Sequence, residues 1–301
     1  MAKPSRIIDS HQHAFWHGTD DAAMAANLDE HGIDKAVVLT WDITPLERTG
    51  YEDSVNAAHA VPGKPHPGLP LADAVQAVRA FPDRFVLGYC PHPLDHHAVD
   101  RLTSAIDMYN VRVCGEWKAS VHLDDPRCLE LFRFCGERHL PVVFHIDVPY
   151  RRDEQTGETV YCQEWYGGTI ANVAAAVEAC PDTIMIGHGP GFWRYISGDA
   201  DTTTGGVYPD GPVVPGGLLR PLLDEHPNLC ADLSAESALN ALRRDKAHGR
   251  KFLSDYSDRL LFGRDCYDGK LHEFLQSLRL SKKVAENIYH LNAERLMGID
   301  A

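Results

Sequence analysis

The stretch Arg6-Ile7-Ile8-Asp9-Ser10-His11-Gln12-His13 decides between the two common folds in which strands alternate with helices. Its apolar start is typical of a buried strand. A doubly wound open sheet usually follows its first strand with a Gly-rich turn that binds phosphate, but here polar residues follow instead. The stretch therefore disfavours the open sheet and favours a barrel.

Eight short apolar runs alternate with segments whose apolar residues recur at helical spacing. Apolar strands joined by helices are typical of a parallel sheet that is buried on both faces. Eight such units in 301 residues predict an α/β protein with a single domain, residues 1–301, folded as a (β/α)8 TIM barrel. The predicted strands are 6–9, 35–40, 85–89, 111–117, 141–145, 183–187, 228–232 and 259–263. The predicted helices include 20–31, 71–81, 95–109, 127–138, 169–179, 218–225 and 236–248.

Two connections, 147–168 after the fifth strand and 189–217 after the sixth, are too long and too rich in Gly and Pro to be plain links. Loops at this end of barrel strands carry active sites, so both are expected to be lids or substrate walls. Four aromatic residues in the first loop are expected to be packed: Tyr150, Tyr161, Trp165 and Tyr166.

The composition limits the partners of this chain. There are 29 Lys and Arg residues against 43 Asp and Glu, a net charge of −14, which disfavours nucleic acid and anionic membranes as partners. No apolar run approaches the roughly 18 residues of a membrane span. Eight scattered cysteines without a Cys-x-x-Cys, and no signal-peptide pattern, predict reduced thiols in the cytoplasm. We expect a small-molecule substrate and, because dimers are the commonest closed assemblies, a homodimer.

Polar side chains mark the carboxyl ends of four predicted strands. His11 and His13 stand just past the first strand, where alternate residues point the same way. With 17 histidines, about one His-x-His is expected by chance, so this pair alone is weak. His145, His188 and Asp265 close the fifth, sixth and eighth apolar runs, where barrel enzymes place catalytic groups. Four imidazoles and a carboxylate at one rim favour a metal such as Zn²⁺.

The ordered set of motifs resembles the amidohydrolase superfamily, and more narrowly its aminocarboxymuconate-semialdehyde decarboxylase-like branch of metal-dependent enzymes. The motifs are Asp9-Ser-His11-Gln-His13, His145, His188, Gly263-Arg-Asp265 and Asn292-Ala-Glu-Arg-Leu296. The resemblance implies a barrel that binds one or two divalent ions, usually zinc or manganese. In that pattern His11, His13, His145 and Asp265 match the metal ligands. His188 matches either a ligand of a second metal or an unligated acid–base histidine.

The fourth strand leaves alternatives open, because Glu116 and Lys118 lie on the same face of it. In some branches of the superfamily a Glu or a carbamylated Lys of this strand bridges two metals, and Gly115-Glu116 resembles the glutamate variant. Lys118 otherwise forms a salt bridge with Glu116 or binds a substrate carboxylate. Arg264 departs from the small Ser of many relatives, and alternation predicts that it points outward as a structural ion-pair partner. Asp9 is expected to be a buried carboxylate that orients the barrel base or a histidine.

Three arginines lie in the two long loops: Arg151, Arg152 and Arg194. They are either solvated surface charges or a forked clamp on a substrate carboxylate.

These features predict a metal-dependent hydrolase of a small substrate that bears a carboxylate or is a cyclic amide or ester. A bound metal lowers the pKa of water from about 15.7 to about 7. Asp265 is expected to act as general base and then acid, and His188 to stabilise charge on the substrate carbonyl oxygen. The alternative on the same scaffold is a lyase, either a non-oxidative decarboxylase or a hydratase. A metal-free lactonase-like or binding protein is the third hypothesis.

Overall fold

The computed structural model describes residues 4–44, 47, 55–60, 66–153, 155–202 and 207–300. All eight predicted strands are present, with bounds shifted by a few residues. The first strand differs most, because it pairs with its neighbour as far as His13, beyond a bulge between Asp9 and Gln12. His11 and His13 therefore lie within this strand and not just past it. The strands are β1 (Ile8–His13), β2 (Lys35–Leu39), β3 (Phe85–Leu87), β4 (Cys114–Trp117), β5 (Val142–His145), β6 (Met185–His188), β7 (Leu229–Asp232) and β8 (Leu260–Leu261).

The parallel strands form two sheets that meet at both edges. β1, β2 and β3 form one sheet, and β4 to β8 form the other in sequence order. A parallel bridge between Gly88 and Val113 joins the β3 and β4 edges. At the opposite edges, the Ser10 N–H donates to the Phe262 carbonyl over 2.8 Å. This arrangement confirms the predicted (β/α)8 barrel.

The core has two layers, as expected for strands that are buried on both faces. An inner apolar cluster fills the barrel with side chains from successive strands: Ile8, Val37, Leu39, Val86, Val143, Ile186, Cys230 and Leu261. Ala293, Met297 and Ile299 of the C-terminal segment join this cluster. A larger cluster lies between the strands and the surrounding helices.

The helices follow the predicted alternation and begin at identifiable caps. The Asp20 side chain accepts from the Ala23 N–H, and Asp125 precedes a helix that begins with Pro126. The predicted helix 236–248 is wrong as a single element: it divides into Ala235–Arg243 and Lys246–Asp255, because the Asp245 side chain caps a new helix. The others are Asp21–His31, Leu71–Ala80, Ala98–Tyr109, Pro126–Glu137, Ile170–Ala179, Pro190–Trp193, Leu219–Glu225, Lys270–Ser277, Lys282–Glu286 and Asn292–Met297. Among the described residues, no helix combines the length and apolarity needed to cross a bilayer.

Both long connections lie at the carboxyl ends of the strands, although residues 154 and 203–206 are outside the described part. The one after β5 contains an antiparallel hairpin of Tyr150–Arg152 and Thr159–Tyr161. Tyr166 is buried as predicted, but Tyr150 and Tyr161 are each 58% exposed, so that part of the packing prediction is wrong. Their rings contact each other across the hairpin. The connection after β6 begins with Pro190–Trp193 and a 3-10 turn, Arg194–Ile196.

Candidate metal centre and active site

Six predicted ligands converge at the carboxyl ends of the barrel strands. Two lie on β1, one on β4, one at the end of β5, one at the end of β6, and one shortly after β8. Five of them are buried, and the sixth, Asp265, has a side chain that is 18% exposed. The parallel strands bring residues that are far apart in sequence to one edge of the barrel. The six are His11, His13, Glu116, His145, His188 and Asp265.

The two β1 histidines and Asp265 form one side of the cluster. The Nε2 atoms of His11 and His13 lie 3.2 Å apart. Asp265 Oδ1 lies 3.4 Å from His13 Nε2 and 3.9 Å from His11 Nε2. Asp265 has a φ of 51°, which is unusual for a residue other than glycine, and its N–H donates to the His11 carbonyl over 2.9 Å. The backbone thus turns this carboxylate toward the β1 histidines.

Glu116 lies between the two pairs of histidines. Its Oε2 is 3.5 Å from His13 Nε2, and its Oε1 is 2.7 Å from His145 Nδ1 and 3.8 Å from His188 Nε2. Two groups of potential ligand atoms include it, one with His11 and His13 and the other with His145 and His188. The single carboxylate therefore faces both halves of the cluster.

Three of the histidines use one ring nitrogen for a fixed contact and direct the other inward. His11 Nδ1 lies 2.9 Å from Asp232 Oδ2, and His188 Nδ1 lies 2.9 Å from Ser234 Oγ. His13 Nδ1 donates to the Leu39 carbonyl over 2.9 Å. Such contacts set ring orientation and tautomer, and they are typical of histidines that bind metals.

His145 differs because carboxylates contact both of its ring nitrogens. Its Nδ1 faces Glu116, and its Nε2 lies 2.9 Å from Asp147 Oδ2. Asp147 therefore orients the ring from the cavity side, in the way that Asp232 orients His11 from within the barrel.

Three of these orienting residues were missed by sequence reasoning. Asp232 ends the seventh apolar run, so the criterion that selected His145 and His188 would have found it. Asp147 lies two residues after His145. In an extended chain it would point the same way as His145, which was a weak signal for a role in the site. No feature of the sequence singled out Ser234.

Neighbouring charged groups shift the pKa values of the histidines and carboxylates in the cluster. Burial alone would lower the pKa of His13, but contacts with the Asp265 and Glu116 carboxylates outweigh it and raise that pKa to about 9. Burial would also lower the pKa of His188, but contacts with Asp232 and Asp265 outweigh burial and raise that pKa to about 10. Burial would raise the pKa of Glu116, but Lys118 and the histidines hold it well below its usual range. The carboxylates are therefore ionised, as metal ligands must be, whereas His13 and His188 hold protons that a metal ion would displace on binding.

The donor set fits a divalent metal ion. Imidazole nitrogens and carboxylate oxygens are the ligands that zinc and neighbouring metals prefer. His188 Nε2 is buried and, within the described part of the chain, has no hydrogen-bond partner. A buried polar atom without a partner is costly, and a ligand at this position would satisfy it.

Asp9 and Arg264 support the site without entering it. Arg264 Nε donates to Asp9 Oδ2 over 2.6 Å, and the Asp9 carboxylate also accepts from the backbone N–H of His11. Asp9 thus orients the histidine strand, as predicted. The ion pair of Arg264 and its direction away from the site agree with the prediction: Arg264 does not line the cavity above the cluster, and it is 3% exposed beside Asp9.

A cavity of about 540 Å³ opens above the cluster and is large enough for a small organic molecule. Asp265, His188 and His145 reach it from the cluster side. Lys118 also lines it, with Nζ 4.2 Å from the centre of the Trp41 ring. Aromatic walls and further polar residues come from the two long connections: Arg151, Tyr161, Tyr166, Arg194 and Tyr208.

Comparison with known proteins identifies the fold. No protein-family model matches the chain, and no curated protein matches it. Among solved structures, 2,6-dihydroxybenzoate decarboxylase from Rhizobium has a TM-score of 0.57 and 14% identity, over 98% of this chain and 99% of the other. A probable 2-pyrone-4,6-dicarboxylic acid hydrolase from Acinetobacter baumannii has a TM-score of 0.60 and 13% identity, over 98% and 100%. A zinc-bound amidohydrolase from Burkholderia multivorans has a TM-score of 0.60 and 13% identity, over 98% of this chain and 100% of the other.

The chain shares their fold. The resemblance stated from the sequence is thereby confirmed at the level of architecture, over nearly the full length of each chain. The activities and ligands in these names are those of the neighbouring proteins. What the present chain does rests on its own cluster and cavity.

Proposed function

We propose that this chain is a metal-dependent hydrolase of the amidohydrolase type that acts on a small organic substrate. The observation that carries the proposal is the convergence of four imidazoles and two carboxylates beneath one cavity, with the outer nitrogens of the rings held in place. One or two divalent ions, zinc first and manganese second, bind at this cluster. The ligands are His11, His13, Glu116, His145, His188 and Asp265.

Each group of the site has a separate role in the proposed hydrolysis. A bound divalent ion supplies Lewis acidity and lowers the pKa of a water molecule to about 7. The Asp265 carboxylate faces the cavity and accepts the proton of the attacking water, then returns it to the leaving group. His188 Nε2 donates toward the carbonyl oxygen of the substrate when a single ion is bound. The aromatic walls exclude bulk water.

A lyase is the second candidate, because a decarboxylase has this fold at nearly the same TM-score as a hydrolase. In that reaction His188 or Asp265 would protonate the carbon that loses its carboxylate. Product analysis separates the two classes: a lyase releases CO₂ or moves water, whereas a hydrolase cleaves an ester, lactone or amide without releasing CO₂.

Metal content, measured by plasma mass spectrometry, is the first test. The protein is purified without chelator or affinity nickel, and we expect between one and two equivalents of zinc or manganese. About one equivalent of metal would indicate a single ion, with His188 free for acid–base work. About two equivalents would indicate two ions, with Glu116 and His188 among the ligands. His11→Ala should retain less than a tenth of an equivalent and lose turnover, whereas exposed His17→Ala should match the wild type. Less than a tenth in the wild type, with no uptake on reconstitution, would refute the proposal.

We further propose that the protein works in the cytoplasm as a homodimer, without nucleic-acid or membrane partners. Its net charge of −14 supports the exclusion of nucleic acid. Light scattering after size-exclusion chromatography tests the dimer, and a mass of about 33 kDa would refute it.

A further inference from the structure

A second, smaller cavity lies beside the segment that follows β8, apart from the one above the cluster. Its volume is about 140 Å³, which is enough for a small ion of a few non-hydrogen atoms. The residues that line it include Arg264, Cys266, Asp268 and Lys270 from this segment, and Ala235 and Glu236 from the start of a neighbouring helix. The proposed hydrolysis uses none of these side chains.

Arg264 brings to this cavity a hydrogen-bonding group that the described chain leaves unsatisfied. The side chain is 3% exposed, its Nε donates to Asp9 Oδ2 over 2.6 Å, and its Nη1 lies 3.5 Å from the Asp268 carbonyl oxygen. Its Nη2 is buried and has no hydrogen-bond partner among the described residues. Because a buried N–H without a partner is unfavourable, a ligand is expected to supply the missing acceptor.

The carboxylate of Asp9 does not supply that acceptor. Its Oδ1 accepts from the backbone N–H groups of His11 and Arg264. Its Oδ2 accepts from Arg264 Nε and from Gln12 Nε2. A carboxylate has about four acceptor sites, so all of them are in use. The acceptor for Nη2 therefore has to come from elsewhere, and the cavity that Arg264 lines is the space available for it.

Two helices begin at this cavity. Ala235–Arg243 and Lys270–Ser277 each place their first two residues in its lining. Neither N-cap residue, Ser234 or Gly269, forms a side-chain hydrogen bond to the first turn of its helix. Free N–H groups and the helix dipole favour a negative charge at such a position. They act here together with the unpartnered nitrogen of the buried guanidinium.

The charged groups of the lining limit the ligand to one negative charge. Asp268 pairs with Lys270 at 2.9 Å, and Glu236 pairs with Arg243. Because the lining carboxylates remain close by, a divalent anion would be repelled more strongly than a monovalent one. The planar guanidinium also matches a flat ion whose oxygens lie in one plane.

We propose that this cavity binds a small planar oxyanion with a single negative charge, of the size of formate or bicarbonate. The ion accepts hydrogen bonds from Arg264 Nη2 and from N–H groups in the first turns of the two helices. Arg264 and Cys266 flank Asp265 in the chain, so a bound ion also stabilises the segment that carries Asp265. The site does not depend on the proposed function.

Thermal unfolding of metal-depleted protein tests the site, with sodium formate, bicarbonate, phosphate and chloride as probes. The buffer is mildly alkaline, where phosphate is largely divalent, and the ionic strength is kept equal. We expect formate or bicarbonate to raise the Tm more than phosphate or chloride does, and the larger of the two shifts identifies the preferred ion. Arg264→Lys keeps the charge beside Asp9 but lacks Nη2, so it should lose this response.

Two control variants locate the response. Lys246→Gln changes an exposed lysine at the first position of another helix and should respond to formate like the wild type. Arg194→Gln changes a buried arginine of the larger cavity and should also respond like the wild type. A response that disappears in Arg194→Gln and persists in Arg264→Lys would place the ion in the larger cavity and overturn the proposal.

Cys266 provides a local measurement that needs only the wild-type chain, which matters if Arg264→Lys folds poorly. Cys266 lines this cavity and Cys162 lines the larger one, and both are partly exposed. Formate should slow the reaction of Cys266 with iodoacetamide by about threefold or more and leave Cys162 unchanged. Peptide mass spectrometry measures both thiols in one sample of metal-depleted protein.

Equal alkylation of Cys266 with and without formate would overturn the proposal, and Nη2 would then be satisfied by water alone. A larger Tm shift with phosphate than with formate or bicarbonate would contradict the assignment of a monovalent ion. All of these measurements use metal-depleted protein. A failure of the proposed hydrolase therefore leaves their outcomes unchanged, and a failure of the anion site leaves the metal cluster untouched.

Discussion

Hydrogen-bonding contacts fix the ring orientations of three buried histidines, His11, His13 and His188. Each ring has one nitrogen fixed by a backbone carbonyl, a carboxylate or a hydroxyl, so the remaining nitrogen faces the cluster. The fixed contacts come from β2, β7 and the segment after β7. Without them each ring would rotate among several states, and ordering it on metal binding would cost free energy.

Asp232→Asn tests this positioning role. The amide keeps the size of the side chain but loses the charge that faces His11 Nδ1, so we expect metal affinity to fall by about 10- to 100-fold with the fold intact. The measurement is competition with a chromophoric chelator, alongside circular dichroism. Asp210→Asn, at an exposed loop position, is the control. Unchanged affinity in Asp232→Asn would show that the contact does not hold the ligand.

Ion pairs connect elements of secondary structure in this protein, and they differ widely in how deeply they are buried. Asp9 on β1 and Arg264 after β8 form a buried pair where the barrel sheets meet, while Asp29 and Arg84 form a pair with Asp29 71% exposed. Solvent screens the second pair but not the first. The two pairs therefore provide a matched comparison within one molecule.

Asp9→Asn should lower the free energy of unfolding by about 3 to 5 kcal/mol, because it leaves the Arg264 guanidinium buried without a counter-charge. Asp29→Asn should change it by less than about 1 kcal/mol. Urea denaturation of metal-depleted protein measures both. Equal effects of the two substitutions would contradict the assignment of Asp9 as a structural carboxylate.

The N-terminal segment is attached to the C-terminal helices through Glu286. The His290 side chain and both the hydroxyl and N–H of Ser5 contact its carboxylate, and these contacts lower its pKa from 4.5 to about 2. A carboxyl group whose pKa is lowered by folding stabilises the folded state above its unfolded pKa, and that contribution is lost as the pH falls.

Glu286→Gln should therefore reduce stability at pH 7 by up to about 1 kcal/mol, since the group is near the surface. The difference from wild type should shrink as the pH falls from about 4.5 toward about 2. Urea midpoints at several pH values measure this, with Glu225→Gln, an exposed glutamate, as the control. A difference that grows on acidification would contradict the assigned direction.

At the scale of the whole molecule, the ligand cluster connects strands from both sheets of the barrel. The six donors come from β1, β4, β5, β6 and the segment after β8, and they adjoin only in the folded chain. A metal that binds there has no equivalent site in the unfolded chain, so its binding free energy adds to folding stability.

Chelation should consequently lower the Tm. Metal at a thousandfold excess over its Kd stabilises the fold by about 4 kcal/mol. Calorimetric scans with and without dipicolinate measure the shift, and His11→Ala should already melt like the chelated wild type. Equal chelator sensitivity in His11→Ala would place the metal elsewhere.

The sequence alone determined the eight strands, their alternation with helices and the polar residues at strand ends. Most strands enclosed between a filled barrel and a helical layer leave an apolar run in the sequence, whereas β1 carries Asp9 to His13 within its own length. Only the tertiary structure decided which residues meet. The Asp232 partner of His11 is 221 positions away, and the depth of Arg194 and Arg264 depends on what packs around them. Local pattern indicates strands and helices, but the depth of a polar or aromatic residue and the identity of its neighbours are set by how distant segments pack.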